Sequence, residues 1–150
     1  MTRIETISSA DLRELMPLMR AYYDFYKVAP SDEKLLALSQ ALIDNPAEGE
    51  QMIARDEHGT AVGFATLYWS WQTLDAERVG VLNDLYTVPA ARGTGVGQAL
   101  MARCRQRCAD RGIPKMVWET APDNATAQRL YDAMGARPST WIAYEIESSS

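Results

Sequence analysis

The chain has 150 residues, 47% of them apolar and 23% charged, with a formal net charge of −5 at neutral pH. One domain spanning residues 1–150 is the expectation, able to bury about 68–70% of its unfolded surface. No run approaches the about 18 uninterrupted apolar residues of a membrane span. The N-terminus lacks the apolar centre of a signal peptide, so a cytoplasmic protein is expected, and the acidic balance disfavours nucleic acid while favouring cationic substrates.

In chain order, Arg3 to Ile7 reads as a short strand, and Ser8-Ser9-Ala10-Asp11 as a capping box opening a helix. Leu12, Leu15, Met16 and Met19 line one face of that helix, and Pro17 within the pattern predicts a kink or break. A second helix starts near Ser31, carries Leu35, Leu38 and Leu42, and stops before Pro46. Gln51 to Arg55 and Ala61 to Trp69 read as strands joined by the turn Asp56-Glu57-His58-Gly59, which leaves the single histidine exposed.

Arg78 to Val88 is a third strand of this set, halted by Pro89. The helix from Gly95 to Asp110 carries Val96, Ala99, Leu100, Cys104 and Cys108 on one face, then stops at Gly112 and Pro114. Two cysteines on a buried stripe read as reduced, small apolar side chains, and with one histidine they are too few for a metal site. Lys115 to Glu119 reads as a buried strand. Asp123 or Asn124 caps a helix to Met134, Gly135 ends it, and Trp141 to Ile146 reads as a closing strand. The order β-α-α-β-β-β-α-β-α-β predicts an α/β (α+β) fold. Its mixed, mostly antiparallel central sheet carries helices on both faces.

The segment Arg92-Gly93-Thr94-Gly95-Val96-Gly97 lies between a strand and a helix. Its glycines permit a tight turn and close approach of a ligand, and the helix start directs unpaired N–H groups at the same point. Such a site suits a pyrophosphate. Neither the dinucleotide fingerprint nor a P-loop fits: Gln98 or Leu100 stands where the fingerprint needs a small residue, and Gly-Lys-Ser/Thr is absent. The alternative is a glycine turn with a structural role only.

Arg-x-x-Gly-x-Gly after a strand and before a helix resembles the acetyl-CoA signature of the GNAT N-acetyltransferase superfamily. Asn124, Tyr131 and Gly135-Ala136 look like that superfamily's second cofactor region. From Leu82 to Ile146 the chain is most similar to the spermidine/spermine (diamine) branch. It departs from that branch at Asn83, where the branch pairs a second acid with the one at Asp84.

The resemblance implies a GNAT fold, acetyl-CoA as co-substrate without a metal, and direct attack by an amine in a ternary complex. It implies that the amides of Arg92, Gly93, Thr94, Gly95, Val96 and Gly97 hold the CoA pyrophosphate. Thr87 and Val88 would pair with the pantetheine arm, and the Leu85 N–H would meet the thioester oxygen. Asp84 is the first candidate for the general base, with Glu119 and Glu77 behind it. Tyr131 would protonate the departing thiolate, and Asn124 would cap its helix and touch the cofactor.

Arg103, Arg107 and Arg111 serve either as a solvated helix face or as partners of the phosphate on the CoA ribose. The aromatic set Tyr22, Tyr23, Tyr26, Trp69 and Trp71 is expected mostly in the core, with some members walling a substrate cleft. The acceptor implied is a small cationic, polyamine-like amine. The alternatives are a protein lysine or N-terminal amine, and a CoA-binding module without catalysis. A homodimer through an exposed C-terminal strand follows from family analogy.

Overall fold

The structure, a computed structural model, describes residues 2–149. The chain divides into two compact units, Met1–Glu119 and Thr120–Ser150.

The first unit holds a sheet of β1 (Arg3–Thr6), β2 (Gly49–Arg55), β3 (Ala61–Gln72), β4 (Glu77–Thr87) and β5 (Met116–Val117), in that spatial order. Pairing is antiparallel from β1 to β4 and parallel between β4 and β5. Helices α1 (Leu12–Phe25) and α2 (Asp32–Asp44) follow β1, and α3 (Val96–Asp110) forms the crossover from β4 to β5.

Local chemistry sets the helix starts. Ser8 and Asp11 close the capping box ahead of α1, and the Ser31 hydroxyl accepts from the Lys34 amide at 3.2 Å to cap α2. One sheet face packs Phe64 and Ile53 against Leu15, Leu18, Met19 and Leu35 of the first two helices. The other face meets α3 through Val96, Leu100, Met101, Cys104 and Cys108. Gly80 is needed there: a Cβ on it would lie 2.4 Å from Cys108 Sγ.

Three expectations are corrected. Helix α1 runs through Pro17 without a break. Proline removes one N–H, and Arg13, whose carbonyl loses that partner, is an exposed residue. The strand expected over Lys115 to Glu119 is reduced to Met116–Val117, which is only half-buried at Met116 and exposed at Val117. The reason lies on its neighbour: Thr66 pairs with Asp84 but Leu67 with Leu82, so Asn83 is an extra residue in β4. Such a bulge bends the strand, and the β4–β5 ladder ends at Val81, just before it.

The second unit contains α4 (Ala125–Ala133), capped by Asn124, whose side chain accepts from the Ala127 amide at 3.2 Å. Gly135 follows it at φ 83°. The strand expected over Trp141 to Ile146 is absent. No strand among the described residues pairs with that segment, and Trp141, Ile142, Tyr144 and Ile146 are exposed. Alternation of apolar residues nominates a strand, but a strand exists only where an edge accepts its hydrogen bonds.

Candidate active site

The bulge at Asn83 decides which backbone groups of β4 face outward. Gly80 directs its N–H to Lys115 on the β5 side at 3.0 Å, and Val88 directs its own to Val62 on the β3 side at 2.9 Å. Alternation from Val88 back to the bulge turns the N–H groups of Leu85 and Thr87 away from β3. The β4–β5 ladder has ended by then, so this edge is open. Without the extra residue the parity would reverse, and Asp84 would present its amide there in place of Leu85.

Two of the expected backbone donors have acceptors within the chain. The Val88 N–H is committed to Val62 at 2.9 Å, and its carbonyl accepts from the Ala91 amide at 3.0 Å, which leaves one carbonyl lone pair as the backbone group Val88 can offer a pantetheine arm. The Arg92 amide donates to Pro89 O at 3.3 Å, closing the short 3-10 turn Pro89–Ala91, so it is not aimed at a phosphate. The Arg92 side chain instead donates from Nε to the Thr87 carbonyl at 3.1 Å.

Beyond Arg92 the loop is a glycine turn leading into the start of α3. Gly93 and Gly95 hold φ of 80° and 92°, the left-handed region that side chains other than glycine adopt at a cost. A Cβ on either would find nothing within 4 Å, so the space in front of them is open. The Thr94 hydroxyl donates to the Ala91 carbonyl, bracing the turn. Gly95 caps α3, whose first backbone bond runs from Ala99 to Gly95 at 3.0 Å. The amides of Gly93, Thr94, Gly95, Val96, Gly97 and Gln98 have no backbone acceptor among the described residues. With the positive end of the helix dipole they fit a diphosphate.

Asp84 faces the α1 side of the sheet and is only 4% exposed. Its Oδ1 accepts from Asn83 Nδ2 at 3.2 Å, while Oδ2 is buried without a hydrogen bond of good geometry. Burial pushes its carboxyl above the usual carboxylate range, against the opposing pull of the Thr66, Asn83 and Tyr22 side chains. The phenols of Tyr22, Tyr23 and Tyr68 lie around it. Burial first, and the nearby Asp84 charge second, push Tyr23 up to about 12 and raise Tyr22 and Tyr68 as well.

Tyr22 also stacks edge-on with Phe64 at 5.7 Å and Tyr86 at 6.2 Å. Tyr68 and Thr66 escaped the list of site residues drawn from sequence. The signal was available in their spacing: both alternate with core positions on the strand that pairs with β4.

The remaining candidates have the following positions and partners. Glu77 is exposed at the first residue of β4, and Glu119 is exposed beyond β5. Trp69 is buried, with Nε1 donating to Pro46 O at 3.1 Å, whereas Trp71 is 64% exposed beneath Arg78. Arg107 holds Glu50 through two bonds of 2.7 and 3.2 Å, Arg111 is exposed with its guanidinium 4.5 Å over the Trp69 ring, and Arg103 is exposed. Both cysteines are buried and free, their thiols pushed up to about 12 and about 11 by burial, which suits packing and not nucleophilic chemistry. Tyr131 lies half-buried on α4.

A split parallel strand pair, free amides at a helix start and a buried acid on the strand before it fit an acyl-CoA-dependent transferase. The chain belongs to the GNAT acetyltransferase family: the model described as Acetyltransferase (GNAT) family matches residues 13–136. It is similar to the N-acetyltransferase YhfO of Bacillus subtilis, at 29% identity over 94% of this chain and 93% of that one. It is also similar to the D-amino-acid N-acetyltransferase HPA3 of Saccharomyces cerevisiae, at 30% identity over 96% of this chain and 85% of that one. A thialysine N-epsilon-acetyltransferase of Mus musculus is 24% identical over 99% and 94%. Among solved structures, an aminoglycoside N-acetyltransferase in complex with CoA shares the fold at a TM-score of 0.87 and 20% identity, over 99% of this chain and 96% of that one. The protein is an N-acetyltransferase that uses acetyl-CoA. Among the described residues no helix is long and apolar enough to cross a membrane.

Proposed function

We propose that the enzyme acetylates a small cationic amine, polyamine-like in character, with Asp84 as general base and residues 1–150 acting as one catalytic domain. The observation that carries this reading is the buried Asp84 carboxylate, its Oδ2 unpartnered, among the phenols of Tyr22, Tyr23 and Tyr68. Aromatic faces and a lone carboxylate form a recognition surface for an ammonium ion. Asn83 beside Asp84, where the diamine branch carries a second acid, leaves one carboxylate fewer to meet a di- or polycation, and that departure is the ground for the second reading, a protein lysine or N-terminal amine.

Acetyl-CoA supplies the acetyl group activated as a thioester. An alkylamine of pKa about 10.4 must lose a proton before it attacks, at a cost of about 4.6 kcal/mol at pH 7. Asp84 takes that proton, and its raised affinity for protons brings it closer to the working pH that an effective base needs. The amine nitrogen bonds to the acetyl carbon as the carbon–sulfur bond breaks. Charge gathering on the carbonyl oxygen is met by the Leu85 N–H, a contribution of about 2.7–4 kcal/mol where such donors have been removed.

The Thr87 N–H extends the same edge toward the pantetheine arm, and the amides from Gly93 to Gly97 hold the diphosphate. Family resemblance assigns the proton for the departing sulfur to Tyr131 and gives Asn124 a cofactor contact beside its cap. Replacing Tyr131 by Phe is expected to lower kcat at least tenfold with CoA affinity unchanged; an unchanged kcat removes it from the mechanism.

The substrate class is tested by mass spectrometry of products from two panels, one of diamines, polyamines and amino-acid amines, the other of lysine and N-terminal peptides. Acetylation of the small amines supports the proposal. Acetylation of peptides alone overturns it in favour of a protein acetyltransferase, and CoA binding without any product reduces the chain to a CoA-binding module.

A further inference from the structure

We infer that Gln51 and Thr66 are positioning residues for the Asp84 carboxylate, Gln51 fixing the Thr66 hydroxyl so that its proton is directed at Asp84. The inference rests on the reading of Asp84 as the base. Gln51 stands directly opposite Thr66 across β2 and β3, and Thr66 directly opposite Asp84 across β3 and β4. The three therefore form one polar rung across neighbouring strands, on the face that packs Phe64 and Ile53 against α1. Their exposures are 1%, 0% and 4%, so all three are withdrawn from bulk solvent.

Directionality follows from the inventory of donors. Gln51 Nε2 donates to Thr66 Oγ1 at 3.0 Å. With its oxygen engaged as an acceptor, the Thr66 hydroxyl has one proton to place, and it sits in the sheet beside a carboxylate with an unpartnered oxygen. Gln51 is held at a cost, because its own Oε1 is buried without a partner. An apolar residue would pack there without that cost, among Met19 and its neighbours. What glutamine adds is the amide donor to Thr66.

The titratable groups facing Asp84 are the phenols of Tyr22 and Tyr23 on α1 and Tyr68 on β3; Asn83 adds an amide, and no cation pairs with it among the described residues. Thr66 and Asn83 are thus the nearest strand neighbours that favour the ionised form. Removing the Thr66 hydroxyl raises the carboxyl's affinity for its proton.

The experiment titrates the Asp84 side-chain carboxyl by carbon-13 NMR in the full-length wild type, Thr66→Val, Thr66→Ser and Gln51→Leu, beside the pH profile of kcat. In Thr66→Val the Asp84 midpoint is expected to rise by about one pH unit. The acid limb of kcat should move with it, so that the rate below the midpoint falls about tenfold. KM for acetyl-CoA should stay within about twofold of wild type, because no cofactor contact is touched. Thr66→Ser is expected to restore the wild-type midpoint, and Gln51→Leu to give a smaller rise of the same sign.

A folded Thr66→Val whose Asp84 midpoint does not move overturns the inference. If that variant does not fold, an unmoved midpoint in Gln51→Leu does the same. Asp84→Asn separates the two ideas: unchanged turnover retires the base but leaves the NMR test of the rung intact.

Discussion

Asp84, the proposed base, carries a cost to the fold. Its carboxyl sits above the usual value of 3.8 because burial penalises the charged form. Between 3.8 and the raised folded value, the folded chain binds more protons than the unfolded chain. Stability therefore falls as pH rises through that window, and the penalty is present in full above it. Asp84→Asn is expected to raise stability at pH 7 by about 1 kcal/mol while lowering kcat at least 100-fold, the lower end of the effect of losing a general base. Urea melts at pH 4 and pH 7 with parallel turnover assays check both halves. A variant that loses activity without gaining stability at pH 7 contradicts this account of the buried charge.

At the scale of the element, the glycine loop and the start of α3 act as one unit. Gly95 caps the helix at φ 92° with open space before it, so Gly95→Ala meets no clash and costs about 1–2 kcal/mol from backbone strain alone. Relieving that strain rotates the adjacent amides, so CoA affinity should fall more than tenfold in calorimetry. An alanine variant that binds CoA as well as the wild type argues that these amides do not hold the diphosphate.

The contact between β4 and α3 is the opposite case, limited by space. Gly80→Ala drives a methyl toward Cys108 Sγ, at a cost of about 1–3 kcal/mol. Cys108→Ala in the same chain should recover most of that loss, a coupling that a double-mutant cycle measures directly.

For the molecule as a whole, binding and folding are linked. A ligand held by the native loop and by an open strand edge has no counterpart in the unfolded chain. CoA at 100 times its dissociation constant is therefore expected to stabilise the protein by about 2.7 kcal/mol. Thermal melts across a CoA series check this, and Gly95→Ala should shift the whole series to higher ligand concentration. A melting temperature that CoA leaves unmoved would remove the cradle from the binding site.

Much of this protein is written in short-range chemistry and was legible without a fold. The capping box at Ser8, the caps at Ser31 and Asn124, and the stops at Gly112 and Gly135 each depend on neighbours within a few residues, so sequence alone placed the helices. The same locality exposed the glycine cradle, since φ at Gly93 and Gly95 and the helix start at Val96 are set by adjacent positions. Register between strands is not local. The extra residue at Asn83, the open edge at Leu85 and Thr87, and the rung of Gln51, Thr66 and Asp84 arise only when β2, β3 and β4 are aligned by the packing of distant helices. For the same reason Val88 spends its amide on Val62 of the neighbouring strand, and Trp141 to Ile146, apolar and alternating, forms no strand, because pairing requires an edge that no stretch of sequence can supply to itself.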